Sequence, residues 1–222
     1  MRGKALFVNA LTFARVPLIF LWAAFVVCQE LVAADCGRGV PSLPFVVLAS
    51  IAMFLSGMTD LWDGQLARKW NVVSSFGKMA DPLMDKIFYL VAFPVLVWQS
   101  GRSCAGDVQT LSLLALAVSY LLRDTWVTFL RSVGTMFGAD VAAMWLGKVR
   151  TALSFPGAGW IYVYLSLRRF DFFRIGNVWT DVVWPFSVFA VEVLLAVLTF
   201  VSLVTYTCSY MPYLKRAIGG NR

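Results

Sequence analysis

The chain has 222 residues, of which 60% are hydrophobic and 14% charged, well below the one-quarter usual for a soluble domain. Its mean hydropathy of +0.76 points to a membrane protein, so the excess of 19 Lys+Arg over 12 Asp+Glu marks cytoplasmic loops and anionic lipid contacts rather than nucleic acid. Histidine is absent from the sequence, which excludes His-based triads, imidazole zinc sites and the commonest general base.

A membrane span needs about 20 mostly apolar residues. Stretches at roughly 7–33, 43–62, 83–100, 108–131, 147–168 and 182–212 meet that requirement. The expected architecture is an all-α integral membrane protein, with six transmembrane helices in one bundle. Residues 1–222 form a single domain without repeat, low-complexity stretch or linker. The first run has the outline of a secretory leader, but Arg15 interrupts it, so the segment is expected to be retained. Its opening, RGKALFVNALTFARVPL, is expected to lie partly along the membrane surface as an amphipathic segment before turning inward.

Six spans put both termini on one side, with the loops after the second and fourth helices. That side carries most of the cations, among them Arg2, Lys4, Arg68, Lys69, Lys78, Lys215 and Arg216. Arg38, Arg102, Arg168, Arg169 and Arg174 fall opposite. The bias makes the first side, and both termini, cytoplasmic. Of the cysteines, Cys28 and Cys208 fall in apolar runs. Cys36 and Cys104 fall in two loops on the far side, where a disulfide is one reading and two free thiols the plainer one.

The chemistry concentrates in TDLWDGQLARKWNVVSSFGKMADPLMDK. Asp60 and Asp63 are three residues apart and Asp81 and Asp85 four apart, spacings that put each pair on one helix face. The first pair closes the second span and the second opens the third. An antiparallel helix pair would therefore bring all four together at the cytoplasmic membrane edge. Four carboxylates so placed repel one another and need positive charge. An oxygen-only set suits a hard cation, Mg²⁺ or Mn²⁺. Taken singly, Asp81 before Pro82 reads equally well as a helix cap, and Asp60 or Asp63 as a partner of Arg68 or Lys69. Gly64 and Ala67 would leave backbone open to a ligand, and Gly77 would allow close helix approach or a tight turn.

The pattern D-x-x-D-G-x-x-A-R, then G-x-x-x-D-x-x-x-D, resembles the signature of the CDP-alcohol phosphatidyltransferases. Asp60, Asp63, Gly64, Ala67, Arg68, Gly77, Asp81 and Asp85 occupy its fixed positions. The resemblance implies a two-metal centre of Mg²⁺ or Mn²⁺ on Asp60, Asp63 and Asp81. Asp85 would complete it and act as the catalytic base. Asp60, Asp63, Gly64, Ala67, Arg68 and Gly77 would bind the CDP-lipid, CDP-diacylglycerol. It also implies a homodimer, and a bacterial inner membrane is the expected location.

The second half of the chain bears on the acceptor. Arg123 and Arg131 lie eight residues apart, near one helix face, and Lys148 and Arg150 follow at the start of the fifth span. Cations bordering a span usually line a polar cavity, though Arg131 and Arg150 also read as side chains snorkelling to the surface. Arg123 also reads as an ion pair with its neighbour Asp124. Arg123-Asp124, Arg131 and Gly147-Lys148-Val149-Arg150-Thr151 resemble elements of the glycerophosphate-using branch of the family. So does LTFARVPLIF, with Thr12 and Arg15. The branch commonly carries glutamate where Asp124 stands. This resemblance implies that Arg123, Arg131, Lys148 and Arg150 hold the phosphate of sn-glycerol 3-phosphate. Inositol phosphate or serine is the alternative acceptor. A divalent-cation transporter is the alternative of another class, disfavoured because the aspartates cluster at one edge. Glu192, within a span, reads as a polar contact between helices or at a dimer interface.

Overall fold

The computed structural model describes residues 2–35, 39–72, 75–103, 105–138, 145–170 and 182–219. Within these, the side chains of 2, 5, 34–35, 75–79, 81–82 and 148 are outside the description. Cys36 and Cys104 lie outside the described residues. The elements are α1 (Arg2–Asp35), α2 (Leu43–Lys69), α3 (Ser75–Arg102), α4 (Asp107–Met136), α5 (Trp145–Leu167) and α6 (Trp184–Gly219). No strand occurs among the described residues.

Among the described residues, five segments are long and apolar enough to cross a membrane: Leu6–Ala33, Leu43–Lys69, Leu83–Arg102, Asp107–Met136 and Trp184–Gly219. The chain is therefore a multi-pass helical membrane protein. The sixth helix expected to span, α5, is present but is not among these five. Large apolar side chains such as Phe54, Leu122, Phe186 and Phe200 stand on the outside, as a lipid-facing surface requires. The segment expected along the membrane surface is continuous with the first span. Arg2–Asp35 is one helix with Pro17 inside it.

Local chemistry explains the ends that position the acidic motif. Ser42 precedes α2 and Pro44 sits in its first turn, where a missing N–H costs no helical bond. The other end of α2 lies beyond the boundary at 62 expected from apolarity. Helix continues through Lys69, so Asp60, Asp63, Gly64, Ala67 and Arg68 are all helical. Asn71 then adopts a left-handed conformation with φ 52°. Its N–H donates to the Arg68 carbonyl at 3.2 Å and the Val72 N–H to the Ala67 carbonyl at 3.1 Å. That pair of bonds closes the helix in a Schellman motif, with Asn in place of the commoner glycine. Gly77 lies within α3 rather than in the turn.

The main core joins α1, α3, α4 and α5 around Trp22, Phe93, Leu96, Tyr120, Ile161 and Tyr162. A smaller cluster of Val127, Leu130, Tyr206 and Tyr210 ties α4 to α6. Among the described residues, α1 packs extensively on both α2 and α3. This departs from the simple helix pair expected from the sequence: the two helices that carry the aspartates are bridged by the first helix.

Candidate active site

Packing of α1 against both acidic helices brings Arg15 among the carboxylates. Its guanidinium pairs with Asp60 through Nη2, lies 3.6 Å from an Asp63 oxygen, and donates through Nη1 to Asp85 at 3.1 Å. Thr12, three residues earlier on α1, donates its hydroxyl to Asp63 at 2.8 Å. Arg15, Thr12 and Asp63 are buried, whereas Asp60 is exposed and Asp85 half-buried. So Asp60, Asp63 and Asp85 do converge, as the spacing implied. Asp81 stands one helical turn before Asp85 on α3, and its side chain lies outside the described residues.

The donor chemistry of this cluster fits a hard divalent cation. Three carboxylates gather on one guanidinium, and their oxygens are the ligands Mg²⁺ and Mn²⁺ prefer. Among the described residues, no three acidic, Cys or His side chains close into metal-ligand geometry. Gly64 leaves its side of α2 open: among the described residues a methyl there would meet only the Arg68 Nη2, at 3.8 Å. Ala67 is half-buried and Arg68 exposed on the same helix.

A cleft of about 390 Å³ starts at Arg15, Asp60 and Asp85 and runs along an apolar wall that includes Phe54, Leu61, Phe88, Phe155 and Pro156. Two local features shape that wall. Gly57 lets Phe155 approach α2 so closely that a methyl there would fall 2.4 Å from the ring. Pro156 has no N–H to return to the Ala152 carbonyl, and both residues line the cleft. The result is a polar head joined to an apolar trough, with Phe54 and Leu61 exposed on the lipid side.

A second polar cluster adjoins the first. Asp124 accepts from Arg123 Nη1 at 2.8 Å and from Arg150 Nη2 at 2.7 Å through the same oxygen. Arg131 donates to the Tyr206 hydroxyl at 2.9 Å. The Tyr206 ring lies under both Arg123 and Arg131, at 5.0 and 5.3 Å. Arg123 also bonds Ser202 on α6. Gly147 makes the approach possible, since a methyl there would come within 3.2 Å of the Tyr206 hydroxyl and 3.4 Å of Arg123 Nη2. Three of the four expected cations, Arg123, Arg131 and Arg150, are thus brought together. The Lys148 side chain lies outside the described residues. The ion pair of Arg123 with Asp124 is present, but Arg150 shares it.

Arg150 is 2% exposed, and among the described residues its Nε and Nη1 have no hydrogen-bond partner, nor has Arg131 Nε. Buried guanidinium N–H groups without acceptors are costly, and an anion's oxygens would satisfy them. Arg150 stacks on Tyr89 and Tyr120 at 5.3 and 4.5 Å. Tyr89 lies one turn beyond Asp85 and lines both the main cleft and a neighbouring cavity that reaches Asp124. The carboxylates and the arginines therefore share a wall.

Sequence reasoning left several of these residues out of the site. Arg15 was visible as a charge inside an apolar run, a feature that by default needs a partner, but nothing in the sequence paired it with α2 and α3. Tyr89, Tyr206 and Ser202 carried no signal distinguishing them from core residues. Glu192 accepts from Ser112 at 2.6 Å and from Gln109, an α4–α6 contact of the interhelical kind expected.

A family profile described as CDP-alcohol phosphatidyltransferase matches residues 6–205. A protein of Bacillus subtilis (strain 168) named CDP-diacylglycerol–glycerol-3-phosphate 3-phosphatidyltransferase is 35% identical over 147 residues, covering 64% of this chain and 69% of that protein. Proteins of the same name from Salmonella choleraesuis (strain SC-B67) and Escherichia coli (strain K12) are 29% identical over 124 residues and 30% identical over 115. Those alignments cover 54% and 51% of this chain, and 64% and 59% of the relatives. With a match over most of its length and every fixed position of the acidic signature in place, the chain belongs to the CDP-alcohol phosphatidyltransferase family.

Proposed function

We propose that this protein transfers the phosphatidyl group of CDP-diacylglycerol to sn-glycerol 3-phosphate, forming phosphatidylglycerophosphate and releasing CMP. One observation carries the reading: the acidic cluster and the arginine cluster meet at Tyr89, at the head of a cleft whose trough is apolar. An amphiphilic nucleotide-lipid suits such a cleft, with its diphosphate at the carboxylates and its acyl chains along Phe54, Leu61 and Phe155. A second, anionic substrate suits the arginines. The names of the relatives support the same donor and acceptor.

In this account the acceptor hydroxyl attacks the phosphorus that carries the diacylglycerol. The bond from that phosphorus to the bridging oxygen breaks, and CMP leaves with the oxygen. Asp85 takes the hydroxyl proton. Asp60, Asp63, Asp81 and Asp85 would hold Mg²⁺ or Mn²⁺, which would stabilise the charge developing on the phosphoryl group and the leaving nucleotide. Gly64 and Ala67 give the nucleotide room beside α2, Arg68 reaches its phosphates, and Gly77 lets the start of α3 come close. Arg123, Arg131, Lys148 and Arg150 bind the acceptor phosphate, and Asp124 holds Arg123 and Arg150 together through one shared oxygen.

The whole chain acts as one membrane domain with α5 as a sixth span. Both termini and the catalytic cleft face the cytoplasm of a bacterial inner membrane, and two copies assemble as a homodimer. The test is an acceptor panel. Purified protein given CDP-diacylglycerol and Mg²⁺ should release CMP with sn-glycerol 3-phosphate and far more slowly with serine or inositol phosphate. Faster release with either of those would reassign the acceptor while leaving the donor chemistry in place.

A further inference from the structure

Arg15 touches three of the carboxylates read above as metal ligands. Its two terminal nitrogens reach Asp60, Asp63 and Asp85, while its buried Nε has no hydrogen-bond partner among the described residues. The polar grip on the side chain is thus through its two terminal nitrogens. A guanidinium and a divalent ion cannot both occupy this space comfortably. Like charges a few ångströms apart in a partly dehydrated site repel strongly.

We propose that Arg15 is an internal counter-cation that competes with divalent ions for Asp60, Asp63 and Asp85, and so sets the metal concentration at which the site fills. The inference rests on the reading of these aspartates as metal ligands. Arg15 keeps the mutually repelling carboxylates gathered, so that the site needs no large rearrangement to bind. Thr12, one turn earlier on the same helix, restrains Asp63 independently of the guanidinium, through its 2.8 Å hydrogen bond. The affinity of the site for metal is then set by α1, a helix outside the acidic signature.

A purely structural Arg15 would predict the opposite sign. If it only organises ligands, its loss should weaken metal binding. Mn²⁺ binding to the full chain in lipid nanodiscs, read from the free-ion electron paramagnetic resonance signal, separates the two. Arg15→Gln should bind Mn²⁺ at least tenfold more tightly than the unsubstituted protein. Arg15→Lys, which keeps the charge but reaches fewer of the three carboxylates, should bind several-fold more tightly. Should the Gln variant fail to assemble, the Lys variant carries the test. Unchanged or weaker binding in the assembled variants, with Asp63→Asn still abolishing it, overturns the role of Arg15. No binding to any of the proteins overturns the metal reading itself, and this inference with it.

Discussion

The guanidinium of Arg150 lies over the ring of Tyr89, 5.3 Å from its centroid, and Tyr89 stands one helical turn from Asp85. Through this contact α5 places a cation on the ring one turn from the proposed catalytic base. Replacing Arg150 by Gln should raise the KM for glycerol 3-phosphate by about 10- to 100-fold, the range expected for losing a charge-assisted hydrogen bond of roughly 1.5–3 kcal/mol. The KM for CDP-diacylglycerol should change little. Steady-state kinetics with each substrate varied in turn distinguishes these. Arg131→Gln should act in the same direction.

Gly57 and Phe155 meet too closely for any side chain between them. The ring cannot simply yield, because Phe88 packs on it at 4.8 Å. Gly57→Ala gains about 1 kcal/mol of helix propensity, but overpacking costs about 1–3 kcal/mol. The expected net effect is a lower thermal midpoint in detergent and a raised KM for the CDP-lipid. Adding Phe155→Leu should restore much of the stability. A Gly57→Ala protein as stable as the original would show that the wall is softer than its packing implies.

At the other end of the bundle Glu30, 1% exposed, pairs with Arg169, beside a hydrogen-bonded group of Gln29, Gln99, Ser166 and Tyr162. Removing one partner of a buried pair strands the other, at a cost of about 3–5 kcal/mol. Glu30→Gln and Arg169→Met should each lower the thermal midpoint, and the double variant should lose less than the sum of the two. Additive losses in such a cycle would mean that the pair is not coupled.

How much of this was legible in the sequence depended on whether the signal was local. The apolar runs located all six helices, and α5 to within two residues at each end, because burial in lipid is written along each helix. Of the four aspartates expected to converge, Asp60, Asp63 and Asp85 do so around Arg15, while the Asp81 side chain lies outside the described residues. The spacing of Asp60 and Asp63 was legible because it belongs to helical geometry. Apolarity alone placed the end of α2 too early, since the helix carries its polar residues to a stop made by Asn71. The position of α1 against both α2 and α3 was out of reach, because the pairing of Arg15 with the aspartates depends on how helices pack. The same holds for Glu30 with Arg169, 139 residues apart in the chain.

The most direct test of the account is phosphatidylglycerophosphate formation by purified protein from CDP-diacylglycerol and sn-glycerol 3-phosphate in Mg²⁺, compared with the Asp85→Asn variant. The unsubstituted protein should form the product and lose activity in EDTA. Asp85→Asn should retain folded mass and helicity while turning over at least 10²-fold more slowly, as loss of a general base requires. Full turnover by Asp85→Asn, or no product from the unsubstituted protein, would contradict it.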